Sequence, residues 1–224
     1  MSALPSKQSE TTSDGYDTSA WEKLELTSTD PCRTTLMRAT DGSEQYTVTT
    51  DESGSNPVTT YKDSLGSVVA TLQWHLYSSD TLILEGQEPT GLRKWLRVSK
   101  SSKELTGKSK SGRKVTFEVD GHKYTWEGYQ KVTYSPMELY ADDAPDKVIA
   151  IFHPAPKPAA RNEPDGRRPN LLISNTAQQI RNVVVVSLLL IEKDRRFNGK
   201  SLRNTPYMFL DLSWLGAAIQ AIVS

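Results

Sequence analysis

Residues 115–126 read V-T-F-E-V-D-G-H-K-Y-T-W, and the kind of fold can be read from them. An Asp-Gly pair separates two runs in which apolar and polar residues alternate, the pattern of a half-buried strand. Asp-Gly suits a two-residue type I′ turn, because both central residues need positive φ. A turn at Asp120-Gly121 sets the register: Val119 faces His122, Phe117 faces Tyr124 and Val115 faces Trp126 on one side. The other side pairs Glu118 with Lys123 and Thr116 with Thr125. A single register yields an apolar-aromatic face and a charge-matched polar face, so the segment is a hairpin with one side buried.

Working outward, Asp41-Gly42 marks a weaker hairpin joining 34–40 to 43–50. Val68, Ala70, Leu72 and Trp74 share one face of another strand, and 81–85, 92–98, 137–140, 147–152 and 170–174 supply more. Short strands at this spacing predict an all-β barrel or sandwich. One helix is expected, over 175–196. Thr176 with Gln179 has the spacing of a capping box and Asn175 is an alternative cap. Lys193, Arg195 and Arg196 stand near its end, where the helix dipole favours cations, and Gly199 follows. Residues 183–191 are apolar except Ser187. The valines there would also suit a buried strand; length and the two end signals favour helix. A helix apolar all round must be buried on all sides. Such a stretch spans only about 13.5 Å, against roughly 30 Å of hydrocarbon in a bilayer.

The chain has 224 residues, 36% hydrophobic and 24% charged, with 27 Lys+Arg balancing 27 Asp+Glu. That supports one core and argues against a general nucleic-acid binder, whose domain is usually strongly basic. Cys32 is the only cysteine, which excludes an internal disulfide framework and a Cys-rich zinc site. The first thirty residues lack the apolar run of a signal peptide, so the expected home is the reducing cytosol. Three units are expected: a disordered acidic and polar tail over 1–30, a β domain over 31–197 and an apolar extension over 198–224. Within the domain, 153–169 holds Pro154, Pro156, Pro158, Pro164 and Pro169 with Arg161, Arg167 and Arg168, a long solvated loop. The apolar stretch 207–223 docks on the domain, meets a protein partner or touches a membrane interface.

No catalytic template is complete. Gly107-Lys108-Ser109 and Gly199-Lys200-Ser201 resemble the end of a phosphate loop, but Ser102 and Asp194 replace the required glycine. His75, His122 and His153 form no H-x-x-x-H pair, so no metal ligand set is expected. No cofactor is implied. Asp142-Asp143 and Asp51-Glu52 lack the alternating spacing of a calcium loop. The clearest signal outside the core is charge. Residues 93–114 carry nine cations against Glu104, a net of +8, although residues 1–60 carry ten acids against four bases. Lys94, Arg97, Lys100, Lys103, Lys108, Lys110, Arg113 and Lys114 are the candidate anion-binding residues. Basic residues so clustered suit acidic lipid headgroups at roughly 1 kcal/mol per cation near a membrane surface; as a loop kept soluble by lysines they would need no ligand. One aromatic residue among them is little for stacking nucleic acid.

The order of VVATLQW (68–74), DGHKYTW (120–126), MELYADDAPDKVIAIF (137–152) and NVVVVSLLLIEKDRR (182–196) resembles a family of uncharacterised fungal proteins, common in mushroom-forming fungi. That family is similar to the Tubby C-terminal, LURP-one-related and scramblase-like group. The resemblance covers about 34–197. It implies a closed antiparallel β-barrel of about twelve strands around a central apolar helix. Tubby domains bind phosphoinositides, and the resemblance carries this only at the level of fold. The expected function is a non-enzymatic binding module, cytoplasmic and membrane-peripheral, that meets anionic phospholipid headgroups through 93–114. The alternatives are an enzyme assembled from distant residues such as His75, Cys32 or the paired acids, and a protein–protein scaffold.

Overall fold

The computed structural model describes residues 16–75, 78–99, 113–129, 135–155 and 168–196. Lys100, Lys103, Lys108 and Lys110, most of the proline-rich stretch and all of 198–224 lie outside them.

Among the described residues thirteen strands form one sheet. The first meander runs β1 (Glu22–Leu26), β2 (Thr34–Arg38), β3 (Glu44–Asp51), β4 (Val58–Asp63), β5 (Val68–Gln73), β6 (Thr81–Leu84) and β7 (Thr90–Gly91). A single helical turn, α1 (Leu92–Trp95), leads to the second: β8 (Arg97–Val98), β9 (Arg113–Val119), β10 (His122–Tyr129), β11 (Met137–Ala141), β12 (Ala144–His153) and β13 (Asn170–Ile173). A 3₁₀ turn, Asn175–Ile180, then feeds the long helix α2 (Arg181–Arg196). Strand order is β7-β6-β5-β4-β3-β2-β1-β13-β12-β11-β10-β9-β8, and every neighbouring pair is antiparallel.

The β9–β10 hairpin has the register its sequence demands, with Val119 opposite His122, Phe117 opposite Tyr124 and Val115 opposite Trp126. Asp120 and Gly121 take φ of 50° and 77°, the left-handed pair of a type I′ turn. His122, at the turn end, is exposed. On β5 the expected face is interrupted. A register shift against β4 between Tyr61 and Lys62 turns Val68 outward, 44% exposed, and Val69 inward, the re-aiming typical of a bulge.

Residues 184–194 of α2 are all buried. Side chains from both halves of the sheet reach the helix: Tyr46 of β3 donates to Asn182 Oδ1 at 2.6 Å, and Trp126 Nε1 of β10 donates to Ser187 Oγ at 3.0 Å. The sheet therefore rolls around its helix. It does not close. The expected closed barrel of about twelve strands is corrected to a thirteen-stranded open sheet, and the reason is parity. In an odd-numbered series of antiparallel neighbours the two edge strands run in the same direction. Joining β7 to β8 would require a parallel pair, which needs a crossover of a dozen or more residues. Only five residues, 92–96, connect them. Of the strand expected over 92–98 only Arg97–Val98 is extended, as β8; Leu92–Trp95 form α1, which buries Leu92 and Trp95 at the gap.

Two further expectations change. The folded unit begins within the segment assigned to the tail, because β1 pairs with both β2 and β13 at the middle of the sheet. Tyr16 and Trp21 also pack on Val148, Ile151 and Leu172, a small cluster apart from the main core. The helix starts without a capping box: Ser174 is the cap residue and no side chain caps the turn. Arg181 ties this end down instead. It holds Glu22 through two 2.8 Å contacts and Gln45 at 2.9 Å. Burial raises the Glu22 pKa, but hydrogen bonding and charge from Arg181 outweigh it and hold the carboxyl below its usual value.

Leu189 is fully buried. Leu189→Asp should place an unpaired charge inside the sheet at a cost of several kcal/mol, comparable with about 5–15 kcal/mol of total stability. Circular dichroism and thermal melting should show loss of the cooperative transition; a parent-like melt would refute the central helix.

Candidate functional site

Two polar sites stand out. The first lies at the inner end of α2. Lys193, 1% exposed, pairs its ammonium with Asp80 at 2.9 Å and lies 3.7 Å from the centre of the Trp74 ring. Trp74 Nε1 donates to Thr59 Oγ1 at 2.9 Å, Thr59 is hydrogen-bonded to Thr50, and Thr50 donates to the Cys32 carbonyl. Asp80 also accepts from the His75 backbone N–H, and its own carbonyl accepts from Leu92 N–H at the start of α1. On the next turn face Tyr129 donates to Asp194. These contacts clamp the end of α2 to both halves of the sheet.

The arrangement argues for structure rather than catalysis. Burial pushes the Cys32 thiol up to about 12, although the Lys193 charge opposes the shift. A thiol held that high is a poor nucleophile near neutral pH. Burial likewise lowers the Lys193 pKa, and Asp80 acts against it. The His75 ring meets Thr81 Oγ1 at 3.2 Å rather than a thiol. The paired acids are engaged in surface work: Asp51 accepts Ser53 N–H, Glu52 meets Arg33 at 2.7 Å and Asp142 meets Lys123 at 3.3 Å. Among the described residues no group of three or more His, Cys, Asp or Glu could hold a metal ion.

The second site is the open seam itself. Where β8 ends after two residues, a cavity of about 160 Å³ is lined by Thr90 of β7, Lys94 and Trp95 of α1, Arg97 of β8, and residues of β9 and β10. Three cations, Lys94, Arg97 and Lys123, face it with one acid, Glu118, and the hydroxyl residues Thr90 and Thr116. All three cations are exposed. Trp95 is 9% exposed, and among the described residues its indole N–H has no hydrogen-bond partner. The ring is held by stacking: Trp95 on Phe117 at 5.3 Å and Phe117 on Tyr124 at 5.4 Å.

Of the eight candidates named from sequence, Lys94 and Arg97 come together at this cavity. Arg113 and Lys114 lie on β9, where Lys114 pairs with Glu127 at 2.6 Å, and the other four fall outside the described residues. Lys123, Trp95, Thr90 and Thr116 are additions. The hairpin register already placed Lys123 beside Glu118, but nothing in it shows that α1 packs against that edge.

Among the described residues no helix is long and apolar enough to cross a membrane. Comparison with known families finds a match to the family of unknown function DUF6593 over residues 29–197. No curated protein and no solved structure matches.

Two measurements test the buried site. Cys32 should react with iodoacetamide about a thousandfold more slowly in the native chain than in urea at the same pH, because the native thiolate is scarce. Mass spectrometry reads this directly, and equal rates would place Cys32 in an accessible, activated setting. Lys193→Met should cost about 3–5 kcal/mol in urea denaturation by stranding Asp80, and Lys193→Met with Asp80→Asn should recover most of that loss. No recovery in the double variant would show that the two charges are not coupled.

Proposed function

The chain belongs to the DUF6593 family of unknown function, and we propose that it is a non-enzymatic binding module whose open seam receives an anionic phospholipid headgroup. The observation that carries this reading is the convergence of Lys94, Arg97 and Lys123 on one cavity beside the Trp95 ring. A phosphate oxygen accepts hydrogen bonds and carries the negative charge these groups favour. The net +8 of residues 93–114 adds longer-range attraction toward an acidic membrane surface. A cytoplasmic, membrane-peripheral placement belongs with the same proposal, as do a fungal origin and the relationship to the Tubby, LURP-one-related and scramblase-like group. Nucleic acid is disfavoured by the chain's overall neutrality, and the apolar 207–223 segment is a second point of attachment to a protein or a bilayer.

The test is sedimentation of the full chain with phosphoinositide-containing and with neutral liposomes. The proposal requires binding to the acidic liposomes that weakens as salt shortens the Debye length from about 10 Å at 0.1 M to 3 Å at 1 M. Replacing Lys94, Arg97 and Lys123 together by Ser should lower affinity by about two orders of magnitude, at about 1 kcal/mol per cation. These side chains are exposed, so the melting temperature should barely move. Glu118→Gln, which removes the opposing charge, should bind more tightly than the parent. Competition by soluble inositol phosphates distinguishes headgroup recognition from attraction to a charged surface. Equal sedimentation with neutral liposomes, or a triple variant that binds like the parent, would remove the seam from the proposal.

A further inference from the structure

A larger cavity, about 540 Å³, lies beyond the other end of the aromatic stack and owes nothing to the seam's basic residues. It is bounded by the β9–β10 turn, the β11–β12 turn and the 3₁₀ turn that precedes α2. Its volume falls within the roughly 300–1,000 Å³ of small-molecule sites. Its inner wall is apolar: Val119 and Ile149 are buried, and Ile180 packs against the core. Tyr124, held by Phe117 on its inner side, contributes a partly buried ring. Its outer wall is polar and exposed, formed by Asp120, His122, Asp143 and Lys147 with Thr176 and Gln179.

Size and lining together describe a pocket with an apolar base and a few polar groups at the mouth. The two carboxylates come from different hairpin turns yet act on one hydroxyl. Burial holds the Tyr124 pKa above its ordinary value, and the charges of Asp143 and Asp120 raise it further. The neighbouring acid Asp142 is engaged with Lys123. Among the described residues Lys147 is the one lysine at the mouth and His122 the other basic group, so against two carboxylates the formal charge, counting histidine as neutral, is negative. A positive group at the mouth gains from both carboxylates and from the Tyr124 ring, since cations are attracted to an aromatic face.

We propose that this cavity is a second ligand site, taking a small amphipathic amine whose apolar body lies on Val119, Ile149 and Ile180 and whose ammonium faces Asp120 and Asp143. It is independent of the seam, and the two sites select opposite charges. The apolar base sets how much of the ligand is removed from water, and the carboxylates set the sign of its head.

The experiment is calorimetric titration of the full chain with hexylammonium and, in parallel, with hexanoate, which has a tail of similar length and the opposite charge. Hexylammonium should bind saturably with one site per chain, and hexanoate about tenfold more weakly or not at all. Asp120→Asn with Asp143→Asn should remove this preference while leaving the melting temperature unchanged. Both positions are exposed, and asparagine tolerates the positive φ of residue 120. Lys147→Gln should strengthen hexylammonium binding. The proposal is overturned if hexanoate binds as tightly as hexylammonium, if neither binds, or if the double variant keeps the parent's preference.

Discussion

Burial of one helix governs this molecule. From Val184 to Asp194 every residue of α2 is out of water, so no side of the helix can be left to solvent and a single flat layer could not cover it. The chain answers with a rolled sheet whose inner face supplies Leu24, Leu36, Tyr46, Tyr61, Leu72, Trp126 and Phe152, all at most 1% exposed. Burial of those residues and burial of the helix are the same requirement seen from two sides, because among the described residues each surface is the other's main apolar partner.

Enclosure brings polar side chains of α2 inside, and Ser187, Lys193 and Asp194 each meet a partner. Ser187 accepts the Trp126 indole N–H while donating to the Val184 carbonyl at 2.9 Å. Lys193 meets Asp80 and the Trp74 ring, and Asp194 accepts from Tyr129. At the other end Arg181 spans Glu22, Gln45 and the Tyr46 ring. These contacts lock the angle and depth at which the helix sits. Apolar packing alone specifies neither well, because valine and leucine tolerate sliding along one another, whereas a buried charge left without its partner is costly.

Parity then creates the seam. The first and last strands of the chain, β1 and β13, pair at the middle of the sheet, and the open edges fall in the middle of the chain on either side of α1. Both edge strands are two residues long, which leaves little unpaired backbone to recruit another strand. The same gap is where three cations converge beside the Trp95 ring. The feature that keeps the sheet open therefore also supplies its most distinctive surface chemistry.

Local pattern was enough to read the β9–β10 hairpin residue by residue, because alternation and an Asp-Gly turn admit one register. It also located α2, since an uninterrupted apolar run with basic residues at its end has few other uses. Strands β1 and β4 escaped that reading: Glu22–Leu26 and Val58–Asp63 are short and carry Lys, Glu, Asp and Thr, so their signal is weak until neighbours pair with them. The run 92–98 looked like one strand, but its first part, Leu92–Trp95, became a helical turn and only Arg97–Val98 is strand. The reason is that the edges it joins run the same way, a property of strand count rather than of those residues. The candidate site was legible in half. Clustered charge drew attention to Lys94 and Arg97, but Lys123 and Trp95 became part of one cavity only when the sheet rolled and α1 filled its gap. The sequence alone determined which segments had to be buried and how neighbouring strands align, because both follow from contacts a few residues apart. Only the tertiary structure decided where the sheet stays open and which charges meet there, because those depend on the number and direction of all thirteen strands.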